Sequence, residues 1–134
     1  MVTLVDSNVI LDLVTDDPIW AHWSTAALSR AADESELAIN PIIFAEVSIG
    51  FTTVEELEDL LPSEAFGRLA LPYEAAFLAG KAFLAYRRRG GRRSAPLADF
   101  YIGAHAAVTG LRLLTRDPRR YRTYFPTVEI IAPE

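Results

Sequence analysis

Four acidic side chains are the residues of this sequence best placed to do chemistry: Asp6, Glu46, Asp99 and Asp117. Carboxylates from distant segments that meet in a fold cannot all stay ionised unless protons or cations neutralise them. Oxygen ligands suit hard cations, so such a cluster predicts Mg²⁺ or Mn²⁺ rather than zinc. A carboxylate-bound Mg²⁺ keeps open positions for phosphate oxygens, which favours hydrolysis of phosphodiester bonds by in-line displacement.

Each of these carboxylates also has a simpler interpretation. Asp6 could cap the helix that follows it, and Asp117, which precedes Pro118, could be a turn residue. Glu46 could be a solvated helix residue, and Asp99 could only compensate the positive end of its helix dipole. Their shared placement in an alternating fold favours one cluster over four unrelated roles.

The elements that must position these residues alternate between strand and helix patterns. Short apolar or β-branched runs predict strands over 2–5, 37–40, 69–71, 111–115 and 127–131. Helical spacing and start signals predict helices over 7–14, 18–32, 42–50, 54–61, 72–88 and 96–108. This order predicts a three-layer α/β/α sandwich with a mainly parallel sheet of four or five strands. Ligands bind outside the carboxyl ends of such strands, where the carboxylates fall.

Length and composition restrict the class of protein. The 134 residues are 51% hydrophobic, which predicts one domain over 1–134 and excludes a disordered chain. With no cysteine, the chain has no disulfide, thiolate metal site or cysteine nucleophile. Its apolar runs are far shorter than the roughly 20 residues of a membrane-spanning helix, and Met1–Asp6 carries no basic leader. We therefore expect a cytoplasmic protein with no membrane partner.

Charge is divided unevenly along the chain. Residues 1–80 carry 14 acidic and two basic groups, whereas residues 81–134 carry 11 basic and four acidic groups. A basic half is typical of a protein with a polyanionic partner, but the two halves could also neutralise each other across the fold.

Four motifs carry a resemblance to a known family. They are Val-Asp-Ser-Asn at 5–8, Ile-Phe-Ala-Glu-Val at 43–47, Ala-Asp-Phe-Tyr-Ile-Gly-Ala-His-Ala at 98–106 and Leu-Leu-Thr-Arg-Asp-Pro at 113–118. In this order and spacing they resemble PIN-domain ribonucleases and, within these, the VapC-like toxins of bacterial toxin–antitoxin pairs. The resemblance covers essentially the whole chain.

The resemblance implies an endoribonuclease that needs Mg²⁺ or Mn²⁺ and leaves 5′-phosphate and 3′-hydroxyl ends. It also implies a cognate VapB-like antitoxin. Excess apolar surface on a chain this small is expected to be buried in a homodimer or under an antitoxin helix. By position, Asp6 and Asp99 resemble direct metal ligands, Glu46 resembles a ligand that also orients the attacking water, and Asp117 matches the fourth acidic position. The positions that match small polar residues bonded to the carboxylates are Asn8 and Thr115. Where many relatives have an acidic residue before Phe, this chain has Arg120 before Tyr121.

Two groups of arginines are candidates for RNA binding. The first consists of Arg87, Arg88, Arg89, Arg92 and Arg93, which predict a basic rim for RNA phosphates or, alternatively, a solvated helix end. The second surrounds Asp117, and its best candidate for a phosphate contact is Arg116, which could equally form a structural ion pair.

Other residues and other functions are less favoured. His22 is expected at the surface and His105 in packing, neither in catalysis. Asp12 is expected to be a helix-capping residue or, alternatively, to support the site from behind Asp6. A phosphatase with Asp6 as nucleophile would usually need a second Asp two residues on, where Asn8 stands. A non-catalytic interaction module of the same fold is the other alternative, and it would have no reason to bind Mg²⁺.

Overall fold

The computed structural model describes residues 1–92 and 97–134. These residues form seven α-helices and one five-stranded sheet. In chain order the elements are β1 (Val2–Val5), α1 (Ser7–Val14), α2 (Ala21–Glu34), β2 (Glu36–Ile39), α3 (Pro41–Ser48), α4 (Val54–Leu60), β3 (Phe66–Arg68), α5 (Tyr73–Arg88), α6 (Leu97–Thr109), β4 (Arg112–Leu114), α7 (Arg119–Tyr124) and β5 (Ile130–Ile131).

The sheet is parallel, with the strand order β3-β2-β1-β4-β5. In the central strand, Leu4 pairs with Ala38 of β2 on one side and with Leu113 of β4 on the other. The chain moves outward from β1 to β3 and then crosses back to β4 and β5. With right-handed crossovers, α1–α4 and α5–α7 therefore cover opposite faces of the sheet. The predicted α/β/α sandwich is confirmed, and its switch in strand order lies between β1 and β4.

The two central strands are covered on both faces, as a parallel sheet requires. Leu4 and Val5 of β1 and Leu113 and Leu114 of β4 have no exposed surface. These apolar runs hold the ends of β1 and β4 rigidly beside each other, which fixes the position of the residues that follow them.

Aromatic packing connects the three helices on one side of the molecule. The Phe100 ring of α6 lies 5.4 Å from the Tyr86 ring of α5 and 5.6 Å from the Tyr124 ring of α7, measured between centroids. Such tilted and edge-to-face contacts add to the stabilisation from burial. The start of α6 is thereby fixed relative to α7.

Most element boundaries differ from the sequence prediction by one to three residues, and two of these differences have a clear physical cause. The third strand is Phe66–Arg68 rather than 69–71, because Phe66 pairs with Leu37 and is buried, whereas Leu69 adds only one hydrogen bond to the Ile39 carbonyl. The second helix begins at Ala21 rather than Pro18, because the Asp17 carboxylate accepts the backbone N–H groups of residues 19 and 20 in a separate turn.

The helix α7 is absent from the sequence prediction altogether. Its start, Asp117-Pro118, has the same pattern as Asp17-Pro18, so the signal was present in the sequence. The predicted start of α6 at Pro96 lies outside the described residues. No helix within 1–92 or 97–134 is long and apolar enough to cross a membrane.

Candidate active site

Asp6 lies directly after β1 at the switch point of the sheet, and its side chain is only 3% exposed. It occupies the N-cap position of α1, but its carboxylate makes no capping hydrogen bond. Instead, Oδ2 accepts hydrogen bonds from the Thr115 hydroxyl at 2.8 Å and from the Tyr121 hydroxyl at 2.9 Å. The capping alternative for Asp6 therefore does not describe its side chain, which reaches across to the residues after β4.

Burial disfavours the charged form of this carboxylate. It raises the pKa of Asp6 from 3.8 to about 6, and the charges of Asp99 and Glu46 act in the same direction, against the hydrogen bonds of Thr115 and Tyr121. The charges of the three carboxylates therefore act on one another, although the residues come from the end of β1, from α3 and from α6. The structure brings residues 6, 46 and 99 to the same end of the sheet, but their side chains as placed do not lie close enough for all three to hold one ion.

Glu46 reaches the same region from α3 and is half-buried. Its Oε1 accepts a hydrogen bond of 2.8 Å from the Ser7 hydroxyl, and Ser7 follows Asp6 in the chain. Burial and the charge of Asp99 raise the pKa of Glu46, while the Ser7 hydrogen bond lowers it. Ser7 thus connects Glu46 to the end of β1, a role that the sequence analysis did not assign.

Asp99 lies in the first turn of α6, and its strongest partner is an arginine of α7. The Arg120 guanidinium donates a hydrogen bond of 2.7 Å to Asp99 Oδ2. Burial raises the pKa of Asp99, and the nearby Arg120 charge opposes that rise. From the sequence, Arg120 was noted as a departure from the family pattern and as one of the arginines around Asp117, and its pairing with Asp99 was not predicted.

Asp117 lies at the edge of the site rather than inside it. Its side chain is 55% exposed and forms an ion pair of 3.3 Å with Arg119, which is itself 89% exposed. Its backbone N–H donates to the Thr115 hydroxyl at 3.2 Å, so the turn after β4 is held in place. Its charge still raises the pKa of Asp99, which places it within electrostatic reach of the other carboxylates.

Thr115 and Asn8 form the hydrogen-bond network behind Asp6. The Thr115 hydroxyl donates to Asp6 and accepts from the Asn8 amide at 3.3 Å. The side-chain Oδ1 of Asn8 accepts a hydrogen bond of 3.2 Å from the backbone N–H of Arg116. The network fixes the orientation of the Asp6 carboxylate, and Asn8 acts on Asp6 only through Thr115.

Tyr121 is the functional residue that sequence reasoning missed most clearly. Its ring is buried, and its hydroxyl bonds to the most buried carboxylate of the site. Burial and the Asp6 charge raise the pKa of Tyr121 well above its ordinary value, so the hydroxyl stays protonated as a donor. The pattern that reveals α7 would also have placed Tyr121 two residues inside a helix that begins beside Asp117.

Arg116 is already held by a carboxylate. Its Nε and one terminal nitrogen each donate at 2.9 Å to Asp12, a side chain of α1 that is 2% exposed. Asp12 also accepts from the Ser24 hydroxyl of α2 at 2.7 Å, so the prediction that Asp12 is a helix cap is wrong. The geometry is that of the structural ion pair left open for Arg116 in the sequence analysis.

The predicted basic rim lies at the end of α5. The side chains of Arg87, Arg88, Arg89 and Arg92 are exposed, and Arg93 lies outside the described residues. The turn after the helix contains Gly90, which has a φ of 91° that favours glycine. The Arg89 guanidinium lies 5.5 Å from the centre of the Tyr124 ring, so this arginine packs against α7 beside the site.

The histidines are placed as expected. His22 is exposed, and His105 is 1% exposed, with Nδ1 accepting from the Asn40 amide at 3.0 Å. Burial lowers the pKa of His105, which keeps the imidazole neutral.

The donor chemistry of the site fits a hard divalent cation. Its acidic side chains offer only oxygen atoms, and for two of them, Asp6 and Glu46, residues 1–92 and 97–134 provide no cationic partner to offset burial. In the side-chain positions of residues 1–92 and 97–134, no three acidic or histidine residues already stand close enough to hold a metal ion. Asp99 is paired with Arg120, so closing the set around a cation requires side-chain rearrangement.

A groove of about 390 Å³ opens beside Asp99 and contains both signs of charge. Its lining includes Asp99, Asp117, Arg119 and Arg120, with Tyr86 and Tyr124 as its aromatic wall. A groove with carboxylates next to arginines can accept a phosphate chain whose charge is shared between a cation and guanidinium groups.

The comparisons agree with this architecture. The model of the PIN domain family matches residues 3–126, so the chain belongs to the PIN domain family. A comparison with curated protein sequences found no match.

Among solved structures, the chain is similar to VapBC2 from Rickettsia felis bound to a promoter DNA fragment, with a TM-score of 0.74, 16% identity and full coverage of both chains. It is also similar to VapBC-1 from nontypeable Haemophilus influenzae, with a TM-score of 0.73, 17% identity and coverage of 98% of each chain. A third similar structure is FitAcB from Neisseria gonorrhoeae, with a TM-score of 0.70, 20% identity and coverage of 96% of each chain. At these identities the likeness is one of fold.

Proposed function

We propose that this PIN-domain protein is a metal-dependent endoribonuclease and the toxin of a toxin–antitoxin pair. The observation that carries the proposal is the buried Asp6 carboxylate, whose pKa is raised to about 6 by burial and by acidic side chains from two other elements. A carboxylate held in this state is costly unless it serves to bind a cation or a proton.

In the proposed mechanism, Asp6 and Asp99 would hold Mg²⁺ or Mn²⁺, and Glu46 and Asp117 would complete the acidic set. The bound ion supplies Lewis-acid stabilisation of the phosphate and lowers the pKa of a water ligand. Ser7 holds the Glu46 carboxylate at 2.8 Å, so that Glu46 can orient the attacking water. Thr115 and Tyr121 keep the Asp6 carboxylate in one orientation through their two hydrogen bonds.

The arginines at the end of α5 are proposed to bind the RNA backbone next to the groove. Their side chains are exposed, and Arg89 packs on the same helix that lines the groove. Phosphate contacts of this kind position the strand without reading its sequence.

A VapB-like antitoxin is the proposed protein partner. The VapBC2 and VapBC-1 structures are two of several similar structures that carry the name VapBC, and one from Klebsiella pneumoniae is described as a toxin–antitoxin complex (TM-score 0.67, 18% identity). The acidic residues 1–80 suit a basic partner segment. We also propose a homodimer in the cytoplasm, and light scattering on the purified chain tests its oligomeric state.

The test of the activity is cleavage of purified bacterial RNA by the wild type, Asp6→Asn and Asp99→Asn, with Asp59→Asn as a control on an exposed acid of α4. We expect the wild type and the control to cut the RNA in Mg²⁺ or Mn²⁺ and to leave 5′-phosphate ends. We expect no cleavage by either protein in EDTA. We expect neither site variant to cut. Site variants that cut as fast as the wild type would disprove the assignment of these residues. A wild-type chain that binds no Mg²⁺ or Mn²⁺ in a calorimetric titration would favour the alternative of a non-catalytic interaction module.

A further inference from the structure

Three adjacent residues of α7 contact three different carboxylates of the site. The contacts are Arg119 with Asp117, Arg120 with Asp99 and Tyr121 with Asp6. Two of these three residues bring a positive charge. The helix therefore supplies internal cations to acidic side chains that are proposed to bind a metal ion.

The Arg120 side chain is held much more firmly than its neighbour. Its guanidinium carbon lies 5.0 Å from the centre of the Tyr86 ring and 5.6 Å from that of Phe100, within the range of cation–π attraction. Its side chain is 29% exposed, compared with 89% for Arg119. The 2.7 Å contact with Asp99 is thus built into the packing of α5, α6 and α7.

We propose that Arg120 is a tethered counter-ion of Asp99 that competes with the divalent metal ion for this carboxylate. The guanidinium neutralises Asp99 in the metal-free protein, and metal binding displaces it from Asp99. This proposal rests on the proposed function, because it takes Asp99 to be a metal ligand.

The surroundings of Arg120 provide a place for the displaced side chain. It lines the groove of about 390 Å³ together with Asp117 and Thr123, so a rotation of its outer bonds moves the guanidinium within the groove. The groove is open to solvent, and the Tyr86 ring that the guanidinium already contacts is part of its lining. The exchange therefore needs no movement of α7 itself.

The test is Mn²⁺ binding by calorimetry to the metal-free wild type, Arg120→Gln and Arg122→Gln. Arg122 lies on the same helix, is exposed and changes the net charge by the same amount. We expect Arg120→Gln to bind Mn²⁺ about fivefold more tightly than the wild type, since a partly exposed ion pair no longer has to be broken. We expect Arg122→Gln to stay within about twofold of the wild type, the change that an unpaired surface charge produces through screened long-range electrostatics.

Thermal unfolding gives a second readout that does not depend on activity. Without metal, Arg120→Gln should melt below Arg122→Gln, because Asp99 has lost its counter-ion. At saturating Mn²⁺ the two variants should melt together, because the metal ion then neutralises Asp99 in both.

The outcomes separate this proposal from the proposed function. Equal Mn²⁺ affinities for Arg120→Gln and Arg122→Gln overturn the proposal that Arg120 competes with the metal ion. If Asp99→Asn abolishes Mn²⁺ binding in the same experiment, the assignment of Asp99 as a metal ligand still holds. No Mn²⁺ binding by the wild type and by Arg120→Gln overturns both.

If Arg120→Gln does not fold, the wild type itself provides the test. The side-chain Nε–H signal of Arg120 in NMR spectra, assigned with Arg120→Lys, should shift on Mg²⁺ saturation. The signal of Arg112, which pairs with Glu34 at the opposite end of the sheet, should not. An Arg120 signal that is unchanged in Mg²⁺-saturated protein overturns the proposal.

Discussion

Replacing Asp6 by Asn should make the metal-free protein more stable while removing its activity. The folded protein raises the pKa of Asp6 from 3.8 to about 6, mainly through burial. At about 1.4 kcal/mol for each pKa unit, the ionised carboxylate costs the folded state about 3 kcal/mol at pH 7. Asn keeps an oxygen that accepts from Thr115 and Tyr121, so most of this cost is recovered. We expect a gain of about 2 kcal/mol, or about 6 to 10 °C in Tm.

The pH dependence gives the sign of this effect. Between pH 3.8 and 6 the folded wild type binds more protons at Asp6 than the unfolded chain, so its stability falls as the pH rises through this window. The stability difference between Asp6→Asn and the wild type should therefore be full at pH 7 and disappear below about pH 4. Thermal unfolding in EDTA across this range measures it.

The control and the metal response complete this experiment. Asp59→Asn, which changes an exposed acid, should follow the wild type at every pH. Excess Mg²⁺ should raise the Tm of the wild type and leave that of Asp6→Asn unchanged, since only the first keeps the ligand. An Asp6→Asn protein that is less stable than the wild type in EDTA at pH 7 would show that the ionised Asp6 carboxylate does not destabilise the folded protein.

Three further substitutions test the surroundings of the site. Tyr121→Phe removes a hydrogen bond to Asp6 and should raise the pKa of Asp6 further, seen as a carboxyl carbon titration shifted upward in NMR spectra. Asp12→Asn should lower the free energy of unfolding by about 2 kcal/mol in urea, because it breaks the buried pair with Arg116; no loss would mean that the pair is dispensable. Replacing Arg87, Arg88 and Arg89 together by Gln, in the inactive Asp6→Asn protein, should reduce the salt dependence of RNA binding. The slope of log K against log salt concentration should fall in magnitude by up to about 2, and an unchanged slope would exclude the rim as a phosphate contact.

The fold was predictable because its strongest signals are local. Apolar runs such as 2–5 and 111–115 can only be buried strands when they alternate with amphipathic helices, and the alternation implies a parallel sheet. The position of Asp6 follows from the first run alone, since a polar residue directly after a central strand falls at the carboxyl edge. The third strand was misplaced by three residues because Phe66–Arg68 is too short to show an alternating pattern, whereas 69–71 is an uninterrupted apolar run.

The partners of the carboxylates were not predictable in the same way. Which arginine pairs with Asp99 and which with Asp12 depends on how α7 and α1 pack, and no sequence spacing encodes that. The Arg116 side chain follows β4 next to Asp117, yet it turns to a carboxylate that lies 104 positions away in the chain. Long-range ion pairs of this kind need tertiary structure to be identified.

The succession of contacts along α7 has a consequence for how this segment can vary. Each residue added within an α-helix turns the side chains on one side of it by about 100° relative to those on the other, so one insertion between Arg119 and Tyr121 would break the alignment of these side chains with their carboxylates. A deletion within this turn of α7 would have the same effect. Sequence change here should thus consist of substitutions at constant length, whereas the turns at the amino-terminal edge of the sheet are free to grow or shrink.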